Sequence, residues 1–97
     1  MTTKWYDAHG ELWGGKVFAD DTTQIGFTDG KPYVPLYPNF VIGVSGVRRA
    51  VTMDGWIILP DGEVIKGPNG GELRLIGDFV YDGDIKLYHR EEDGRLT

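Results

Sequence analysis

Short runs of alternating apolar and polar residues, separated by glycine-containing dipeptides, fill most of this chain. In Glu72–Ile76, Leu73 and Leu75 alternate with Glu72 and Arg74. In Asp84–His89, Ile85 and Leu87 fall on one face of an extended chain. A period of two is typical of a half-buried β-strand. We therefore predict strands in both runs, with the leucines of the first run turned inward.

Six Asp-Gly or Asn-Gly dipeptides separate such runs, and five of them lie in the second half, 7 to 13 residues apart. They are Asp29-Gly30, Asp54-Gly55, Asp61-Gly62, Asn69-Gly70, Asp82-Gly83 and Asp93-Gly94. Asn and Asp tolerate positive φ and Gly adopts it freely, so these pairs favour two-residue hairpins with primed turns. They predict an all-β fold: an antiparallel meander of about seven or eight short strands that closes into a small barrel or sandwich.

The first strands are predicted at Trp5–Asp7 and Glu11–Phe18, on either side of His9-Gly10. Thr22–Phe27 alternates as another strand and leads into the turn at Asp29-Gly30. Trp56–Leu59 is a continuous apolar run, which indicates a strand buried on both sides.

Residues 32–40, Pro-Tyr-Val-Pro-Leu-Tyr-Pro-Asn-Phe, contain three prolines. Proline has no N–H to donate, so this segment cannot be a central strand and is predicted as an extended edge or loop.

Residues 41–53 fit two patterns. Val47, Arg49, Val51 and Met53 alternate as a strand would, whereas Val47, Ala50 and Val51 also fit a short helix near 47–53. Periodicity leaves both open.

Ninety-seven residues form a single β domain, residues 1–97. Residues 90–97 carry five charges in eight positions, and we predict a flexible tail there.

Charge and composition exclude several functional classes. The net charge is −5, which works against binding to a phosphate backbone, so no nucleic-acid partner is expected. The chain has no cysteine, which removes thiolate chemistry and favours the cytoplasm over a secreted scaffold. No signal peptide is visible, and no stretch approaches the roughly 18 apolar residues of a membrane span, so no membrane partner is expected.

Catalytic candidates are few. Asp7, His9 and Glu11 alternate, so one continuous strand would project all three from one face, where they could bind a metal or act as acid and base. A turn at His9-Gly10 would break that alignment. A nucleophile elbow needs a glycine two residues after its serine. Val47 occupies that position after Ser45, so Ser45 does not fit this motif. We predict no metal and no cofactor.

Binding candidates are mainly aromatic. Exposed Trp and Tyr offer contact area with few rotatable bonds, as protein interfaces and sugar sites require. The proline segment either exposes its apolar residues as a contact surface or folds them back onto the core, and the sequence leaves both open. Trp13 is a further candidate. The predicted binding set is Trp13, Tyr33, Leu36, Tyr37 and Phe40.

Two functional hypotheses follow from these residues. The first is a non-enzymatic binding or assembly module that acts through protein–protein contacts and forms a homo-oligomer, most simply a dimer, across the proline segment. The alternative is a small β-barrel that takes a sugar or other small molecule, or a small enzyme with an acidic and histidine site, with Trp13, Asp7, His9 and Glu11 lining it. A flat aromatic patch supports the first hypothesis and a pocket with convergent polar groups supports the second.

Overall fold

The computed structural model describes residues 4–19, 24–27 and 34–97, and in these ranges the protein is all-β with no helix. The strands form three antiparallel three-stranded sheets, each in sequential order. The first sheet contains β1 (Lys16–Ala19), β2 (Gln24–Phe27) and β3 (Val34–Leu36). The second contains β4 (Asn39–Ile42), β5 (Arg48–Val51) and β6 (Ile57–Ile58). The third contains β7 (Leu73–Ile76), β8 (Phe79–Asp82) and β9 (Ile85–His89).

Six loops in the described part share one hydrogen-bonding pattern. In each, the N–H of the first residue donates to the carbonyl of the fifth at 2.7–2.9 Å. The fourth residue is a glycine, and its N–H donates to the carbonyl of the first residue at 2.8–3.0 Å. These glycines have φ between 76° and 94°. The pattern is a three-residue hairpin loop, a type I turn followed by a glycine bulge. The loops are Asp7–Glu11, Gly43–Val47, Thr52–Trp56, Leu59–Glu63, Gly67–Gly71 and Glu91–Arg95.

This geometry corrects the predicted turn type at Asp54-Gly55, Asp61-Gly62, Asn69-Gly70 and Asp93-Gly94. A two-residue primed turn of the Asn-Gly kind gives both residues positive φ, yet no residue other than glycine has positive φ in the described part. The Asp or Asn is instead the last central residue of the type I turn, with negative φ, and only the glycine after it has the positive φ of the left-handed region. The Asp29-Gly30 turn lies outside the described residues.

Two-residue loops occur where the sequence has Gly-Asp. Asp82 pairs with Ile85 across Gly83-Asp84, and Ile76 pairs with Phe79 across a second Gly-Asp loop, residues 77–78. The glycine comes first in each loop and has φ of 62°. Glycine at the first central position is the requirement of a type II′ turn. The hairpin predicted around Gly83 is therefore present, with Asp82 as the last residue of β8.

Isolated bridges connect the second and third sheets on both sides. On one side, the N–H of Leu75 donates to the Gly55 carbonyl at 2.7 Å. On the other side, the last residues, 94–97, which we call the C-terminal segment, lie between β4 and β9. The Ile42 N–H donates to the Gly94 carbonyl at 2.7 Å. The backbones of His89 and Thr97 exchange two N–H to carbonyl hydrogen bonds, of 2.9 and 2.8 Å.

The core lies between these two sheets. Its buried side chains come from β4, β5, β6, β8 and the C-terminal segment, and the half-buried side chain of Ile65 and others from β7 and β9 pack against them. The buried members are Val41, Val51, Ile57, Val80 and Leu96. Leu73 and Leu75 of β7 pack against this cluster while Glu72 and Arg74 are exposed, as the alternation predicted.

The structure decides one segment that periodicity left open and corrects the prediction for another. Residues 47–53 contain strand β5 and no helix, because the strand alternation buries Val51 in the core and the register pairs Arg49 with Val41. The predicted tail at 90–97 is instead a hairpin that returns to β9, with Leu96 only 7% exposed. Four of its five charges lie on the loop Glu91–Arg95, and the fifth, Arg90, donates to the Phe40 carbonyl and the Asn39 side chain, so Leu96 is free to pack into the core.

The second sheet is also covered on its other face. Ala50 and Ile58 alternate with the core residues of their strands, yet both are buried. Residues 5–13 pair across the loop Asp7–Glu11 and form what we call the amino-terminal hairpin. This hairpin lies against the second sheet on that side: the Tyr6 and Phe40 rings are 4.9 Å apart, and the Arg48 guanidinium donates to the Gly10 carbonyl at 2.8 and 3.0 Å. No helix in the described ranges is long and apolar enough to cross a membrane.

Candidate functional site

A cleft of about 370 Å³ lies between the amino-terminal hairpin, β3 and the loop Leu59–Glu63. The amino-terminal hairpin contributes Asp7, Ala8, His9 and Trp13. Strand β3 and the residue after it contribute Val34, Pro35 and Tyr37, and the loop contributes residues 60–62. Its walls therefore combine two aromatic side chains with two carboxylates and an imidazole.

Backbone pairing sets the position of the two aromatic residues. Tyr6 and Tyr37 exchange two hydrogen bonds, each 2.8 Å long, so the amino-terminal hairpin lies beside the chain that leaves β3. Trp13 donates to the Trp5 carbonyl at 2.8 Å across that hairpin. The prolines on either side of Leu36-Tyr37 keep this segment extended, which suits an edge position. In the strand order of its sheet, β3 is at the edge, as predicted.

Each carboxylate of the cleft uses one oxygen to hold its own loop. Oδ1 of Asp7 accepts hydrogen bonds from the His9 and Glu11 N–H groups at 2.8 and 3.0 Å. Oδ1 of Asp61 accepts from the Glu63 N–H at 2.9 Å. Among the described residues, Oδ2 of neither Asp7 nor Asp61 accepts a hydrogen bond. One acceptor oxygen of each carboxylate is thus available to a ligand.

The Tyr37 phenol supplies a donor. Burial raises the pKa of Tyr37 above its usual value, because the phenolate would lose solvation. The hydroxyl therefore stays protonated at neutral pH and can donate to a ligand oxygen as well as accept.

The loop Asp7–Glu11 separates the three catalytic candidates. Asp7 and His9 line the cleft, whereas Glu11 lies beside Arg48, with its carboxylate 3.5 Å from the Arg48 Nε. In the described part, the His9 ring forms no ion pair with a carboxylate. This arrangement contains no nucleophile and base held together for catalysis.

The predicted binding residues are distributed over several environments. Trp13 and Tyr37 line the cleft, Leu36 is buried, and Tyr33 lies outside the described residues. Phe40 is covered on its ring face by Arg48, whose guanidinium carbon is 4.0 Å from the ring centre. The described members of this set therefore do not form a continuous exposed patch.

Asp61 is the charged cleft residue that was not among the predicted site residues. The dipeptide Asp61-Gly62 predicted a turn, and Asp61 indeed holds one. Nothing local indicates that this loop faces residues near the amino terminus, because more than 50 positions separate them in the sequence. Among the described residues, no group of three or more His, Asp or Glu side chains could hold a metal ion.

Comparisons of the chain with protein-family models, curated proteins and solved structures found no match. The functional argument therefore depends on the geometry of the cleft.

Proposed function

We propose that this protein is a non-enzymatic binding domain, acting in the cytoplasm, that takes a small polyhydroxylated ligand such as a sugar in the cleft. The observation that carries this proposal is the combination of Trp13 and Tyr37 with acceptor oxygens of Asp7 and Asp61 around one cavity of about 370 Å³. That volume is at the small end of ligand sites, which suits one or two sugar rings.

The chemistry of the walls favours a sugar over a purely apolar ligand. A sugar ring has an apolar C–H face that packs on indole or phenol, and hydroxyls at its edge that need acceptors. Carboxylate oxygens are strong acceptors for such hydroxyls, because hydrogen bonds to a charged group are shorter and stronger than neutral ones. Pro35, which also lines the cleft, adds a rigid apolar surface.

A closed barrel would give this cleft a rigid support, and we propose that the second and third sheets form one. Supporting this, hydrogen bonds run from β4 through β5 to β6, from β6 by way of Ile65 to β7, and then through β8 and β9 to the C-terminal segment, which pairs back with β4. The core cluster lies inside that circuit. Sites built on such a scaffold keep their geometry better than sites on loops alone.

A titration followed by ¹H–¹⁵N NMR tests the binding proposal. The probes are methyl glucoside, methyl galactoside and N-acetylglucosamine, up to tens of millimolar. We expect at least one sugar to shift the amides of residues 7–13 and of Asp61 and Gly62 saturably, with a Kd of roughly 1 mM, typical of weak binding. If none of the three sugars shifts these amides saturably, the proposal fails.

The loops offer a matched pair of variants for the same titration. Asp61 and Asp93 occupy the same position in loops of one form, and each accepts from the N–H two residues later, at 2.9 and 3.0 Å. Asp61→Asn and Asp93→Asn both keep an oxygen for that bond. We expect only Asp61→Asn to weaken sugar binding, by about tenfold, because it removes a charged acceptor. Equal binding by both variants would place the ligand elsewhere.

A second candidate function is protein–protein contact, with the chain as a homodimer. The observation favouring it is that β1 and β3 are the two edges of the first sheet, and edges can pair with another chain. Light scattering at tens of micromolar protein tests it. A dimer that becomes monomeric in Pro35→Lys, which places a charge at an exposed position of β3, supports this candidate. A wild-type mass near 10.8 kDa contradicts it.

A further inference from the structure

A second cavity, of about 220 Å³, opens beside the loop Gly43–Val47 and reaches the core. Its inner wall is apolar and consists of core residues: Val41, Ile57, Ile65, Leu73, Tyr88 and Leu96. It shares no residue with the Trp13 and Tyr37 cleft. The two sites can therefore be tested independently.

One charged side chain, Arg49, lines this apolar cavity. Side chains alternate along a strand, so Arg49 lies on the same face of β5 as the core residue Val51. In the register, Arg49 faces Val41 of β4. It is half-buried, unlike a guanidinium that extends freely into solvent.

Arg49 has no anionic partner in the described part of the protein. The guanidinium of Arg48 bonds to Gly10, that of Arg74 to Asp54, and that of Arg90 to Asn39 and Phe40. Arg95 pairs with Asp93. None of the side-chain hydrogen bonds or ion pairs in the described ranges involves Arg49.

We propose that this cavity binds a small carboxylate with an apolar body, with Arg49 pairing with the carboxylate and the core wall holding the body. A guanidinium forms two parallel hydrogen bonds with a carboxylate, and the pairing is stronger where water is partly excluded. An apolar site with one oriented polar group is the usual composition of a small-molecule pocket. The Ser45 hydroxyl, also in the lining, can donate to the same carboxylate.

The entrance supports an occupant of this chemistry. Val44 and Val47 line the cavity and are 75% and 45% exposed on the loop. Two exposed valines add apolar surface at the opening, and an apolar body would cover part of it. The net charge of the chain is −5, so attraction of an anion has to come from a local cation rather than from the overall field.

The probes are octanoate and octanol, which share an apolar chain and differ in charge. Both are titrated into the full chain, below the concentration at which octanoate forms micelles, and followed by ¹H–¹⁵N NMR. We expect octanoate to shift the amides of residues 43–49 and Tyr88, with an affinity about tenfold above that of octanol, as a charge-assisted pair provides. Equal affinity for the two probes, or no shift in these residues, overturns the proposal.

Variants assign the effect to the guanidinium. Arg49→Gln keeps a polar side chain, though a shorter one, and loses the charge, and we expect it to bind octanoate no better than octanol. Lys86→Gln removes one cation from an exposed position on β9 that is not part of the cavity lining, and we expect it to bind as wild type does. Retained preference for octanoate in a folded Arg49→Gln variant would exclude Arg49 as the anion partner. The comparison of the two probes on the unmodified chain stands even if that variant does not fold.

Discussion

The N–H of Gly71 donates a 2.7 Å hydrogen bond to Oδ1 of Asp82, a carboxylate that is 2% exposed. The N–H of Asn69 binds the other oxygen at 2.6 Å. The loop Gly67–Gly71 thus wraps around the end of β8. A Cβ atom at Gly67 or Gly71 would overlap with the Asp82 carboxylate, so both glycines are required by close approach rather than by φ.

We predict that Gly71→Ala lowers the free energy of unfolding by about 1–3 kcal/mol, the usual effect of overpacking. The added methyl group would collide with the backbone of Gly83 as well as with Asp82, and neither can move without breaking the hairpin. Urea denaturation measures the change. The control is Gly14→Ala, because a Cβ atom there meets nothing within 4 Å. Equal denaturation midpoints would show that the loop is not held against Asp82.

Asp82 also shows why part of the fold could be predicted and part could not. Alternation along 72–76 gave β7 and its buried face, because one strand contains the whole pattern. Along 84–89 it gave the strand β9 but not the face, because a register shift in the pairing with β8 leaves Ile85 51% exposed and Tyr88 packs against the core. Asp82-Gly83 correctly indicated a hairpin, but the donors to Asp82 lie 11 and 13 residues away, and no local pattern marks a buried carboxylate. The same applies to the cleft, where Trp13 and Tyr37 were predicted from residue type, and Asp61 was not.

A second prediction concerns Gly83, the first residue of a two-residue loop, with φ of 62°. A β-branched residue is strongly disfavoured in that conformation, so Gly83→Val is expected to lower the free energy of unfolding by about 1–3 kcal/mol. Glu72→Val is the control, since Glu72 is exposed beside β7 and valine suits an extended chain. Thermal melts compare the two variants. A melting temperature for Gly83→Val as high as that of Glu72→Val would mean that the loop has another conformation.

Metal independence is a third prediction. The chain has two histidines and no cysteine, and the His9 and His89 side chains lie on a loop and a strand far apart in sequence. We expect the same melting temperature with excess EDTA and with excess zinc, manganese or calcium, because a bound metal would stabilise the folded state by mass action. A rise of several degrees with one metal, abolished in His9→Ala, would contradict the prediction and indicate a site in the cleft.

The last prediction concerns the C-terminal segment and uses two Leu→Ala variants. Leu96 is 7% exposed and belongs to the core, between β4 and β9, whereas Leu12 is 58% exposed. Truncating a buried leucine removes its apolar contacts and leaves a cavity, so Leu96→Ala is expected to lower the free energy of unfolding by about 2–5 kcal/mol. Leu12→Ala is expected to change it by no more than about 0.5 kcal/mol, as at ordinary surface positions. Urea denaturation followed by tryptophan fluorescence gives both values. A Leu96→Ala variant as stable as Leu12→Ala would show that the last residues do not pack into the core, and it would count against the proposed barrel closure at that point.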